Sequence, residues 1–221
     1  MPALSAPPAA WSTAAWSLVL PLKPLALAKS RLADATGPLR PELALAFALD
    51  TVSAALRCPA VARALVVTDD PVAGERLAEL GALIVPDSPA AGLNAALRHG
   101  AQVARSVDGA GPVAAMSADL PALRPQELDL VLRAAAAHPR AFLADTQRVG
   151  TTLLTAAPGT LLAPRFGGAS RLRHTASGAR ELTLDAVPSV RRDVDTPADL
   201  RAALDLGTGP QTTAVAALVM L

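Results

Sequence analysis

Asp119 stands in Ser117-Ala118-Asp119-Leu120-Pro121, directly after the apolar run Pro112–Met116. A carboxylate at the end of a buried strand can meet a hard cation, and Mg²⁺ commonly takes one or two carboxylates plus substrate phosphates. The same residue could equally serve as a turn or capping aspartate ahead of Pro125. Asp193 and Asp195 offer a second carboxylate source; the start of a final helix accounts for Asp195 and Asp199, and accounts for Asp193 less well. Lys23, Lys29 and Arg31 fall within one loop. There a lysine point charge and a two-pronged guanidinium could grip a polyphosphate, or the loop could simply be solvated. Gly92-Leu93-Asn94 opens a helix, so free N–H groups and the Asn94 amide could contact a base or phosphate, or form an ordinary loop-to-helix junction. Arg165-Phe166-Gly167-Gly168-Ala169-Ser170, ahead of Arg171, Arg173 and His174, could fold as an anion nest around Gly167 and Ser170, or as a flexible surface loop.

Other chemistries lack their residues. No Gly-x-Gly-x-x-Gly follows the first strand, and no Gly-x-x-x-x-Gly-Lys-Ser/Thr, His-Glu-x-x-His or Gly-x-Ser-x-Gly occurs. A formal net charge of +1 provides no field to draw in nucleic acid or anionic lipid, and 2% aromatics with no tyrosine leave almost no stacking platform. Cys58 is alone, which excludes an intrachain disulfide and suits a reducing cytoplasm. Charges interrupt the apolar runs, so no membrane span is expected. With no basic residue before Lys23, no signal peptide is expected either. The reading is of a cytoplasmic protein.

The elements that must position these residues form an alternating series. Strands are expected at 16–20, 64–67, 82–85 and 112–116, and helices at 41–57, 72–80, 93–105 and 125–138. Short apolar strands between helices describe an α/β protein of three layers, with a mostly parallel sheet covered on both faces. In such a sheet ligands bind beyond the carboxyl ends of the strands, where Lys23, Lys29, Arg31, Asn94 and Asp119 all lie. Ala141–Ala144 and Thr151–Leu154 are expected as two further strands in a less regular last third, and Thr196 with Pro197 and Asp199 as the start of the last helix. Residues 1–15, rich in Ala, Pro and Ser, are expected as a disordered leader, 16–206 as the domain and 207–221 as a loosely attached tail.

Several blocks in order resemble one family. They are Pro21-Leu22-Lys23 with Ala28-Lys29-Ser30-Arg31-Leu32, Gly92-Leu93-Asn94-Ala95-Ala96-Leu97, and Ala118-Asp119-Leu120-Pro121-Ala122-Leu123. Gly150-Thr151-Thr152-Leu153-Leu154, Pro164-Arg165-Phe166-Gly167, Ser170 and Arg192 to Leu200 complete the set. Together they resemble the 2-phospho-L-lactate or phosphoenolpyruvate guanylyltransferases of coenzyme F-420 biosynthesis. The resemblance implies a nucleotidyltransferase-like, Rossmann-like fold, with GTP, Mg²⁺ and a small phosphorylated carboxylate as ligands. It implies metal on Asp119 and Asp193, and the acceptor's phosphate and carboxylate on Thr151 (or its neighbour Thr152), Gly167 and Ser170. It also implies the triphosphate on Lys23, Lys29 and Arg31. Molybdopterin and sugar-phosphate nucleotidyltransferases of similar fold usually carry a glycine-rich signature after the first strand, and Leu22–Arg31 holds no glycine. A non-catalytic nucleotide-binding domain is the reading from another class. Phosphoenolpyruvate, 2-phospho-L-lactate and 3-phosphoglycerate stay open as acceptors, with a composition typical of high-GC genomes tilting toward the first. Oligomeric state is left open.

Overall fold

The first strand, β1 (Trp16–Pro21), is the hub of the sheet in the computed structural model, which describes residues 15–88, 90–109 and 111–219. The expected leader lies outside the described residues apart from Ala15. All of β1 except Pro21 is buried, as a strand covered on both faces must be. Its residues alternate between two cores: Leu18 and Leu20 face one, Val19 the other. Behind β1 the chain passes through short helical turns and α1 (Ala33–Thr36) into α2 (Arg40–Leu56), where Pro41 occupies a first-turn position that needs no N–H.

The alternation then runs β2 (Val61–Val67), α3 (Pro71–Glu79), β3 (Leu83–Val85), α4 (Leu93–Asp108), β4 (Val113–Met116) and α5 (Pro125–Ala135). Residues of α2, α3 and α5 share the core of Leu18, whereas α4 packs with Val19 on the opposite face. Gly100 makes that second contact possible. A Cβ there would stand 2.5 Å from Val19 Cγ1 and 2.8 Å from Val67 Cγ2, so only glycine lets α4 lie this close to the sheet.

The remaining elements are β5 (Arg140–Ala144), β6 (Thr151–Ala156), α6 (Ser170–Ala176), β7 (Arg180–Glu181), α7 (Pro188–Arg191), α8 (Pro197–Leu206) and α9 (Pro210–Val219). Strand order is β3-β2-β1-β4-β6-β5-β7. Among the described strands β6 alone runs against the others, pairing antiparallel with β4 and β5. This reversal carries the first residue of β6, Thr151, to the same edge as the carboxyl end of β4; Ser117 N–H donates to Thr152 O at 2.9 Å. The Asp145 carboxylate closes the β5–β6 turn by accepting from Val149 N at 2.9 Å and Gly150 N at 2.7 Å.

Thr196 and Asp199 form the expected start of α8, each side chain accepting from the other's backbone N–H. The expected loose tail is corrected. Segment 210–219 is a helix against α2, with Thr212 and Ala216 buried and Val215 packed near Leu43 and Phe47. Asp50 of α2 caps it, accepting from Gln211 N at 3.2 Å and Thr212 N at 2.7 Å. A buried carboxylate and the open N–H groups of a helix start thus satisfy each other. No described helix is long and apolar enough to cross a membrane.

Candidate active site

Two cavities open along the carboxyl edge of the sheet. One, of about 580 Å³, lies between the loop after β1 and the start of α4, and is lined by Lys23, Lys29, Arg31, Gly92 and Asp119 among others. The second, of about 400 Å³, lies against the start of β6 and the Gly167-Gly168 loop, and is lined by Thr151, Gly167, Ser170, Asp119 and Asp193 among others. Both share Arg31, Leu93, Asp119, Gly167 and Asp195, so they meet at Asp119. All the candidate residues except Asn94 therefore line one continuous crevice.

The loop after β1 is held from both ends. Leu25 N–H donates to Asp70 at 2.8 Å, the same carboxylate that caps α3 through Ala73 N at 3.0 Å. Arg40 donates to the carbonyls of Ala28 and, at 2.8 Å, Ala26. Sequence reasoning misses Asp70 and Arg40, because their partners are carbonyls and amides that no residue pattern marks. Within this frame Lys29 adopts a left-handed backbone, φ 55°, a conformation uncommon outside glycine and kept only where neighbours impose it.

Its side chain is held electrostatically. Lys29 Nζ donates to Asp119 Oδ2 and, at 2.9 Å, to Asp195 Oδ1, with only 12% of its side chain exposed. Burial alone would lower the ammonium's pKa, but Asp119 and Asp195 outweigh it and hold Lys29 well above the usual range. Lys29 thus bridges two carboxylates at the edge of the crevice. Lys23 and Arg31 are exposed at the rim, free of that pairing. Asp195 is held low: burial would raise it, but Lys29 first, then Arg31 and Lys23, favour its charged form. Asp193 goes the other way. Burial, then Asp119, Asp195 and Asp145, push its carboxyl up to about 7. The site thus has more negative charge than its lysine neutralises.

Among the described residues no three His, Cys, Asp or Glu side chains form a ready-made metal cage. The all-oxygen set of Asp119, Asp193 and Asp195 nevertheless suits a hard divalent cation, which completes its shell with phosphate and water. The raised Asp193 carboxyl is the mark of a site that would gain from such a charge.

At the start of β6 Thr151 lines the second cavity, while Thr152 is fully buried with its hydroxyl unpaired among the described residues. Of the two threonines, Thr151 is the one that lines the cavity. Gly167 and Gly168 both have positive φ, 94° and 44°, which turns the loop sharply into Ser170 at the head of α6. Asn94 has another place than the one expected. Its amide accepts from Phe166 N at 2.7 Å and donates to Phe166 O at 3.1 Å, so it braces the Gly167 loop from behind instead of lining either cavity.

No family model matches the chain. Among solved structures it is similar to a nucleotidyl transferase from Methanothermobacter, with a TM-score of 0.59 and 18% identity over 87% of this chain and 97% of that one. It is also similar to CMP:2-keto-3-deoxy-manno-octonic acid synthetase complexed with CTP, with a TM-score of 0.54 and 18% identity over 87% and 98%. The chain is thus a protein of the nucleotidyltransferase fold, with its acidic and basic residues gathered at the edge where that fold carries ligands. Sequence relatives narrow this. It is 64% identical to a phosphoenolpyruvate guanylyltransferase of Streptomyces coelicolor over 93% of this chain and 98% of the relative. It is 62% identical to one of Thermomonospora curvata over 91% and 89%. The chain belongs to the phosphoenolpyruvate guanylyltransferase family.

Proposed function

We propose that this protein transfers GMP from GTP to the phosphate of phosphoenolpyruvate, releasing pyrophosphate, as a step of coenzyme F-420 biosynthesis. The observation that carries the reading is the meeting of two cavities at Asp119, one rimmed by basic residues and one by Thr151, Gly167 and Ser170. A donor nucleotide in the larger and a phosphorylated acid in the smaller would bring their phosphates together there. The names of the relatives support both substrates.

An acceptor phosphate oxygen would form a bond to the α-phosphorus as the bond from that phosphorus to the β-bridging oxygen breaks. The attacking phosphate is already ionised near neutral pH, so no dedicated base is required. The chain's part is positioning and charge neutralisation. Lys23 and Arg31 would meet the polyphosphate that leaves. Lys29, seated between Asp119 and Asp195, would keep the carboxylates spaced before the substrates arrive. Thr151, Gly167 and Ser170 would orient the acceptor's phosphate and carboxylate. Asp119 and Asp193, with Asp195 beside them, would hold Mg²⁺, which when bound supplies charge neutralisation at the phosphates.

The test is pyrophosphate release with GTP, ATP and CTP against phosphoenolpyruvate, 2-phospho-L-lactate, 3-phosphoglycerate and a sugar phosphate, with and without Mg²⁺. The expected result is release with GTP and phosphoenolpyruvate only when Mg²⁺ is present. Absence of release with every pair would overturn the reading.

A further inference from the structure

His174 is fully buried beneath the acceptor cavity, wedged between the rings of Phe142 and Phe166 at centroid distances of 5.6 and 5.2 Å. Both of its ring nitrogens face polar groups. Arg165 backbone N–H lies 3.0 Å from Nε2. A backbone amide can only donate, so Nε2 must be the unprotonated acceptor. A neutral ring then carries its proton on Nδ1, which lies 2.9 Å from Thr151 Oγ1 and donates to it. The ring is kept neutral by burial first, then by Arg140, Arg173 and Arg165, which push its pKa down to about 4. With the proton of Nδ1 occupying one lone pair of Thr151 Oγ1, the threonine's own proton remains available on the side of the cavity that it lines.

An ordinary buried histidine, satisfied in the core, would explain the two contacts but not where they lead. One ends on Thr151 at the mouth of β6; the other fixes the residue before Phe166, whose backbone Asn94 grips from the other side. The ring thus links the two segments of the acceptor side, Thr151 and the Gly167–Ser170 loop, and sets the polarity of the hydroxyl between them.

We propose that His174 is a positioning residue for the acceptor. Its Nδ1–H makes the Thr151 hydroxyl a hydrogen-bond donor toward the anionic acceptor and locks the spacing between Thr151 and the Gly167–Ser170 loop. The proposal rests on the guanylyltransferase reading above and deepens it.

Two variants separate the halves of the ring. In His174→Asn the amide can stand where Nδ1 stands and still donate to Thr151; in His174→Gln it can reach the Nε2 position and still accept from Arg165 N–H. Steady-state kinetics should show the KM for phosphoenolpyruvate rising about tenfold or more in His174→Gln and by less than about threefold in His174→Asn, with the KM for GTP unchanged in both. Adding Thr151→Val to His174→Gln should cost little more than either change alone, because the two act as one unit. Equal KM changes for both substrates, or a wild-type acceptor KM in His174→Gln, would overturn the proposal. A second readout needs neither activity nor a variant. Nitrogen-15 spectra of the histidine rings in the wild-type protein should show His174 with Nδ1 protonated and Nε2 bare near neutral pH, and the opposite tautomer or a charged ring would overturn it. If the wild-type protein releases no pyrophosphate, the guanylyltransferase reading falls and the positioning role falls with it. If it does and the acceptor KM does not move, only the His174 proposal falls.

Discussion

Replacing Asp193 with Asn should stabilise the metal-free protein at pH 8 and leave it unchanged at pH 4. The carboxyl is pushed from an ordinary 3.8 to about 7, first by burial and then by Asp119, Asp195 and Asp145. A folded-state pKa above the unfolded one means that the native state binds this proton more tightly. Stability from the group is therefore complete below about pH 4 and is lost as pH rises through 7. Taken whole, the difference would be about 4 kcal/mol. Water reaches one side of the carboxylate, and Asp119 and Asp195 share the repulsion, so about half is a fairer figure. For a domain of this size a gain of about 2 kcal/mol corresponds to about 4–8 °C in Tm. The assay is thermal unfolding with chelator present, wild type against Asp193→Asn, from pH 4 to 8.5. The two curves should diverge between pH 4 and 7 and run parallel above. Millimolar Mg²⁺ should close the gap at pH 8, by raising the wild type more than the variant. A variant equal to or less stable than wild type at pH 8 without metal would refute the reasoning.

Asp119→Asn should lower pyrophosphate release by about two to three orders of magnitude while far-UV circular dichroism stays unchanged, because it removes charge where the cavities meet. Gly100→Ala should cost about 1–3 kcal/mol in urea unfolding, since a Cβ at 2.5 Å from Val19 Cγ1 forces α4 off the sheet. Asp50→Ala should cost about 1–2 kcal/mol by the same measure and speed proteolysis after Gly207, because it uncaps α9.

Much of the fold is legible in the residues, and for a physical reason. Short apolar runs bounded by proline and charge mark buried parallel strands, so β1, β4 and the helices that start at Pro125 and Pro197 fall where expected. The rule that ligands sit beyond strand ends then picks out Lys29 and Asp119 from their positions in the chain alone. The direction of β6 is not legible, because an all-buried strand such as Thr151–Ala156 has no pattern that differs when read backward. Helix α9 stays hidden because its cap, Asp50, lies some 160 residues earlier in the chain. The charge of Lys29 shows in the sequence and suggests phosphate, whereas its carboxylate partners, 90 and 166 residues on, do not show. Asn94 and His174 share that problem: Asn94 spends its amide on the Phe166 backbone, and His174 spends one ring nitrogen on the Arg165 backbone and the other on Thr151, partners that only folding brings near.

The reversed strand also has a bearing on how substrate choice can change. The half of the crevice proposed for the nucleotide hangs on parallel strands, whose connections are whole helices tied into both cores. The half proposed for the acceptor hangs on a hairpin, whose turn from Asp145 to Gly150 sits outside the sheet. That turn pairs with neither β1 nor β4, and its backbone is tied instead to Arg191 and Arg171. If the two cavities take the substrates as proposed, the two are read by parts of unequal mechanical freedom, and the acceptor side is the interchangeable module of the pair. A laboratory seeking a new acceptor for this scaffold would begin by rebuilding residues 146–149 within the Asp145–Gly150 clasp and leave the loop after β1 alone.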